Sequence, residues 1–225
     1  MIIAIDGPAG SGKSSTAVEA ARRLGFLHLD TGAMYRAITL KCLRQGIDPT
    51  DTPALASLME HTELDFSGVP PHTTVWMDGE DVSTAVRSDE VTRNVSDYCK
   101  PMVVRNALVA QQREIGKSIS VVCEGRDIGT VVFPDAELKF FMVASVEERA
   151  RRRQKDFLKL GITKSLDNLI EEIRERDHKD SSRENSPLCK AGDAEEIDTT
   201  TMSFDQQVSR IVEKASVLIE KTNTG

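Results

Sequence analysis

Gly7-Pro8-Ala9-Gly10-Ser11-Gly12-Lys13-Ser14 matches the pattern G-x-x-x-x-G-K-[ST] at every required position, and few stretches this short restrict a fold so tightly. The motif needs a strand before it and a helix after it. The apolar run from Met1 to Ile5 supplies the strand, and Ala17, Ala20, Ala21 and Leu24 recur at helical spacing through Ser14 to Leu24. In such a loop the glycines let successive N–H groups turn inward, the helix N-terminus adds the positive end of its dipole, and Lys13 adds a mobile point charge. Ser14 then offers a hydroxyl to a magnesium ion. The expectation is a cradle for a nucleoside triphosphate. The plain alternative, a glycine-rich turn that only opens a helix, does not call for the complete motif in its full context.

The rest of the chain alternates short apolar runs with helical patterns. Phe26 to Asp30 reads as a second buried strand, Met34 to Gln45 as a helix closed by Gly46, and residues 52 to 60 as a short helix with Thr52 capping it ahead of Pro53. The character changes at 62 to 84, where Gly68 and Pro70-Pro71 interrupt the run and Asp78-Gly79 lies between extended segments, a hairpin signal. That stretch predicts a small antiparallel insertion, either covering a substrate or decorating the surface. Helices follow over 89 to 98 and 102 to 115, the second ending at Gly116. Strands then span 119 to 124 and 138 to 144, with helices from 146 to 160 and from Leu166 to about Asp180. A strand near Ile197 and a helix from 203 to about 220 close the chain. This alternation predicts a doubly wound parallel sheet with ligands at the carboxyl ends of its strands.

With 225 residues, 39% hydrophobic and 29% charged, the chain suits one ordinary globular domain. No apolar run approaches the roughly 20 residues of a membrane span, and Met1 leads into a strand, so no membrane association is expected and the expected location is cytoplasmic. Cys42, Cys99, Cys123 and Cys189 show no C-x-x-C spacing and read as free, buried or partly buried thiols. The net charge of −7 argues against binding a nucleic-acid polymer. Residues 149 to 183 nevertheless hold eleven Lys and Arg against seven Asp and Glu, which suits one small anionic ligand.

Two further stretches follow predicted strands and so face the ligand side of the sheet. Glu124-Gly125-Arg126-Asp127 ends one strand between glycines; Arg126 and Asp127 are either a solvated ion pair or a binding pair. Asp30-Thr31-Gly32-Ala33-Met34-Tyr35-Arg36 ends another, with Thr31 a helix cap or a binding hydroxyl and Arg36 a planar donor fork suited to phosphate. Arg176, Asp180 and Arg183 share one helix face if the helix continues that far, either as ligand contacts or as an ion-pair ladder with Glu172. Arg149 and Arg153 repeat the i, i+4 spacing inside a crowded basic run.

Together, GPAGSGKSS, LDTGAMYR, EGRDIGTVVFPDA, SVEERARRR and RERDHKDSSRENSPL make the chain resemble, nearly end to end, the bacterial-type cytidylate kinases among the P-loop nucleoside monophosphate kinases. The resemblance implies a five-stranded parallel sheet, an antiparallel insertion at 62–84 (with nearby helices to about 100) for the monophosphate, and a lid at 149–163. It implies ATP and Mg2+ on Gly7 through Ser15. It places Arg36, Arg126 and Arg183 on the acceptor phosphate, Ser96, Arg105 and Asp127 on cytosine, and Arg176 and Asp180 on the ribose. Thr31, Tyr35 and Gly125 line the acceptor site; Thr31 stands where serine also occurs. Arg149 and Arg153 take the places of lid arginines on the donor. The substrates implied are CMP and dCMP with ATP, handled by a monomer.

The acceptor phosphate is mostly dianionic at neutral pH, so its attack on a donor phosphate needs no general base. The demand is instead for Lys13, Arg126, Arg153 and Arg183 to hold two polyanions in line, with Asp30 and Glu124 orienting magnesium-bound waters or arginines. Two other readings are open on the residues: a P-loop kinase for a small alcohol, with Asp30 or Glu124 as base, and a nucleotide-dependent switch or RNA-binding protein using 149–153 as a basic patch.

Overall fold

The computed structural model describes residues 1–67, 73–159 and 161–223 of the chain. Gly68, Pro70 and Pro71, named above, lie outside them, as does position 160, the end of the helix read from 146. Five parallel strands form the main sheet: β1 (Ile2–Asp6), β2 (Leu27–Asp30), β6 (Val121–Gly125), β7 (Leu138–Val143) and β8 (Glu195–Asp198), in the order β2-β6-β1-β7-β8. The central strand β1 is the one that runs into the glycine loop. Its pleat alternates sides. Ile3 and Ile5 pack with Val122 and Phe140 against Ala17, Ala20 and Ala21 of α1 (Lys13–Leu24) and Val208, Ile211 and Ala215 of α8 (Phe204–Asn223). Ala4 points the other way with Val121 and Cys123, toward α2 (Thr31–Gln45), α3 (Thr52–Glu60) and α5 (Met102–Ser118). Each fully buried isoleucine contributes roughly 1.5–3 kcal/mol. The alanines let α1 lie close to the sheet and so fix where its N-terminus opens.

The insertion is the antiparallel sheet β3 (Leu64–Ser67), β4 (Thr74–Met77) and β5 (Glu80–Asp81). Asp78 and Gly79 both take positive φ, 52° and 80°, the turn that Asp-Gly predicts. Val75 and Met77 are buried with Val82, Val86 and Val91 against Ala33, Ala37 and Leu40 of α2, and Lys41 clamps Asp78 at 2.6 Å. A short turn, Ala85–Arg87, leads to α4 (Asp89–Tyr98).

Four local expectations are corrected. Asp51, not Thr52, caps α3 by accepting from the Ala54 N–H, because Thr52 is already inside the helix with Pro53. Gly116 does not stop α5, which runs to Ser118; a Cβ there would stand 2.7 Å from the Phe133 ring, so this glycine serves packing. Helix α7 (Leu166–Ser181) ends before Arg183, which a turn brings back beside Asp180. Among the cysteines, all free, Cys189 is exposed. Helix α6 (Val146–Lys159) carries the basic run and packs on α7 through Ala150, Leu169 and Ile173. No helix of the described residues is long and apolar enough to cross a membrane.

Candidate functional site

The strand ends and helix N-termini surround a cavity of about 820 Å³. Twelve Lys and Arg line it against six Asp and Glu, a local excess of positive charge in a chain of net charge −7. Apart from Gly7, Pro8 and Ser11, every residue singled out above for the site contributes to this lining.

The glycine loop forms one wall. Gly7 adopts φ +149°, and a Cβ there would meet the Met142 carbonyl oxygen at 2.1 Å, so no other residue fits. Gly12, at φ +91°, occupies the N-cap position of α1 without a side chain to satisfy the first-turn N–H groups. Those donors remain for an anion. Lys13 is buried, donates to the Pro8 carbonyl at 3.3 Å, and is pushed down to about 7 by burial and by Arg126, with Glu124 opposing.

Beside the loop, the Ser14 hydroxyl donates to the Glu124 carboxylate at 2.6 Å, and His28 Nε2 meets the other Glu124 oxygen at 3.2 Å. Burial would raise the Glu124 pKa, but the His28 hydrogen bond, the Lys13 charge and the Ser14 bond hold it below the usual range. These are hard oxygen donors. That suits Mg2+. Asp30 caps α2 through the Ala33 N–H at 2.9 Å and faces Arg87 at 3.6 Å. Thr31 therefore does not cap; its hydroxyl donates to the Glu124 carbonyl at 2.7 Å.

Opposite stand the acceptor-side arginines. Arg126 and Asp127 do not pair with each other: Arg126 donates to Asp180 at 2.9 Å, while Asp127 is bonded to Arg105. Both members of that second pair are buried, and Arg105 also lies 5.7 Å over the Tyr35 ring. Among the described residues, Arg36 Nε, Arg176 Nε and Arg183 Nη2 are buried with no hydrogen-bond partner, and Arg183 Nη2 lies 3.6 Å from an Asp180 oxygen. Burial pushes Arg176 down to about 10, helped by Arg126 and Arg36, and lowers Arg36 as well. Three cations from α2, from α7 and from the turn beyond it thus keep unmet donors together. An unmet buried donor costs about 1–3 kcal/mol, more when charged; an anion relieves it.

Arg149 and Arg153, expected as lid arginines, both line the cavity and meet different partners. Arg149 is 3% exposed, and its guanidinium donates to Ala144 O, to Ala9 O in the glycine loop and to both Asp177 oxygens at 2.9 and 2.5 Å. Each nitrogen of the guanidinium meets an acceptor, and one of those acceptors is in the glycine loop. Arg153 pairs with Glu172 at 3.5 Å and lies 5.5 Å over Phe157. Glu172 thus serves Arg153 and Lys164, not the expected ladder with Arg176. Arg152 holds Thr199 and the Gly10 carbonyl. Arg87 and His28 were not among the sequence candidates, and Arg152 was read only as part of the 149–153 basic run; only the fold gives them these partners.

A sequence-family model described as Cytidylate kinase matches residues 3–217. A cytidylate kinase of Bacillus velezensis is 49% identical over 211 residues, 94% of each chain. One from Clostridioides difficile is 44% identical over 217 residues, covering 96% of this chain and 99% of that one. A crystal structure of an uncharacterized protein from Eubacterium ventriosum superposes with a TM-score of 0.53 at 13% identity, over 95% of this chain and 97% of that one, and supports the fold alone.

Proposed function

This chain belongs to the cytidylate kinase family, and from that premise we propose how its residues divide the work of moving the terminal phosphoryl group of ATP to CMP. It is a kinase, and ATP-dependent phosphorylation of CMP is its activity. The observation that carries the division of roles is the set of buried, unmet donors of Arg36, Arg176 and Arg183 across the cavity from the glycine loop.

The triphosphate lies on Gly7 through Ser15, with Lys13 on its outer phosphates. Magnesium, when bound with it, neutralises and orients the donor oxygens; Ser14 would hold it, with Glu124 and Asp30 ordering its waters. The CMP phosphate meets Arg36, Arg126 and Arg183, and Arg176 with Asp180 takes the ribose. No side chain removes a proton, since the attacking oxygen is already ionised. Catalysis is alignment and charge stabilisation by Lys13, Arg126, Arg183 and Arg153. Ser96, Arg105 and Asp127 read cytosine: Asp127 accepts from the exocyclic amine, and Arg105 donates to the carbonyl and ring nitrogen. Uracil would set an oxygen against that carboxylate. Thr31, Tyr35 and Gly125 shape the wall beside the nucleotide, residues 62–84 serve as the monophosphate-binding insertion and 149–163 as the lid. dCMP is a second acceptor, since the contacts to phosphate and base do not depend on the 2′-hydroxyl.

One copy carries both walls of the cavity, which supports a monomer as the working unit, and the reading sets it in the cytoplasm and in pyrimidine nucleotide metabolism. A coupled assay of ADP release from ATP and magnesium with CMP, dCMP, UMP, AMP, GMP and shikimate tests the reading. CMP and dCMP should lead. Equal kcat/KM for CMP and UMP would refute the roles given to Arg105 and Asp127.

A further inference from the structure

Asp127 occupies the N-cap position of a single π turn, Ile128–Val132, at φ −144° and ψ 27°. An aspartate there ordinarily turns its carboxylate back onto the first N–H groups of its own helix. This one does not, and its carboxylate is bonded to Arg105 instead. The N–H groups it leaves are met from 122 residues away. Asp6, the last residue of β1, accepts from Ile128 N and from Gly129 N, both at 2.8 Å and both buried. The two oxygens of one carboxylate thus complete the turn, each on its own donor.

The geometry around Asp6 is specific to this task. Asp6 is 4% exposed and sits in register with Gly125 of β6 and Phe141 of β7. A Cβ at position 129 would lie 3.1 Å from the Lys139 stem and 3.4 Å from the Asp6 carboxylate, so glycine allows the close approach. Burial pushes the Asp6 carboxyl up to about 6, opposed by the two N–H bonds, so it is ionised at neutral pH. The next residue, Gly7, begins the triphosphate loop.

We propose that Asp6 is a positioning residue for base selection: by capping the 128–132 turn in place of Asp127, it leaves the Asp127 carboxylate directed at Arg105 and at the base of the acceptor. The proposal rests on the reading of Asp127 as a cytosine contact. Without Asp6, Asp127 is left at the N-cap position to accept from its own turn, and every bond it makes there is withdrawn from the pocket. Asp6 also joins the two loops physically, since one residue ends the strand feeding the donor loop and holds the acceptor loop.

The test is a double-mutant cycle on substrate preference, with kcat/KM for CMP over UMP as the readout. The amount of folded enzyme cancels in that ratio. Asp6→Asn keeps the shape but turns an NH2 group toward one of the two N–H donors. It should lower the preference about tenfold, a coupling of ordinary size for residues in one network, through KM for CMP more than kcat. KM for ATP should stay within about twofold of wild type. In an Asp127→Asn background the same substitution should leave the preference unchanged, because nothing remains to position. Gly129→Ala disturbs the same contact from the other side and should shift the preference in the same direction by less.

If Asp6→Asn and Gly129→Ala both keep the wild-type preference, Asp6 has no positioning role. If Asp6→Asn lowers the preference equally with and without Asp127, it does not act through Asp127, and the proposal also fails. If Asp127→Asn alone leaves the preference intact, the reading of Asp127 itself is wrong. That arm separates the two failures.

Discussion

Removing Asp177 decides whether Arg149 is a clamp or a reaching arm. Arg149 is 3% exposed and donates to two carbonyls, Ala144 and Ala9, and to both oxygens of Asp177. Asp177→Ala deletes the carboxylate and leaves the guanidinium buried. Breaking one partner of a buried ion pair costs roughly 3–5 kcal/mol. The Asp177 side chain is 28% exposed and the two carbonyls remain, which puts the cost at the lower end, about 3 kcal/mol. For a chain of this length that is a fall in Tm of about 6–12 °C. KM for ATP should rise as well, because the freed guanidinium no longer holds the Ala9 carbonyl of the glycine loop in place. Arg149→Met should cost less, since it removes the charge together with its need for a partner. Adding Asp177→Ala to Arg149→Met should then change little, so the two effects are strongly non-additive. Urea unfolding and initial rates on the four proteins provide both readouts. If Asp177→Ala melts with the wild type while Arg149→Met alone reduces kcat, the clamp is refuted and Arg149 acts directly on the donor.

Two further outcomes follow from the same structure. Arg126→Ala should lower kcat/KM for CMP by about 10²–10³ with an unchanged circular dichroism spectrum, as loss of one preorganised donor does elsewhere; a loss under tenfold would remove Arg126 from the transfer machinery. Asp6 imposes a pH signature on stability. Its folded pKa is raised from 3.8 to about 6, so between those values the native state binds the extra proton and stability falls as pH rises. Over that window the wild type should lose about 3 kcal/mol of unfolding free energy relative to Asp6→Asn. A gap between the two proteins that is flat from pH 4 to 7 in urea titrations would show that the carboxyl is not perturbed in this way.

The features legible in the sequence were those that neighbouring residues determine. A Gly-x-x-x-x-Gly-Lys-Ser loop after an apolar run, an Asp-Gly turn with both φ positive, and helices with apolar residues at 3.6 spacing all follow from local sterics and local patterning. They sufficed for the alternating fold, the antiparallel insertion and the strand-end residues of the cavity, while Ser96 and Arg105 were reached only through the resemblance to the cytidylate kinases. Errors at this level were small: the cause was local at Thr52, and at Gly116 it was packing against the Phe133 ring.

Partner choice was decided only by the tertiary structure. Arg126 is bonded to Asp180, 54 residues away, not to adjacent Asp127; Arg149 is bonded to Asp177 across two helices; and Asp6 serves Ile128 and Gly129 on another strand's loop. Charge and spacing along the chain are compatible with several pairings. The strand order β2-β6-β1-β7-β8 brings the ends of β1 and β6 side by side, and burial then makes each unpaired charge costly enough to select one pairing. The sequence by itself therefore determined where a phosphate cradle would form and which cations surround it. Only the fold decided which of those cations have every donor met and which keep a buried donor without a hydrogen bond, because that depends on distances set by the sheet and by exclusion of water.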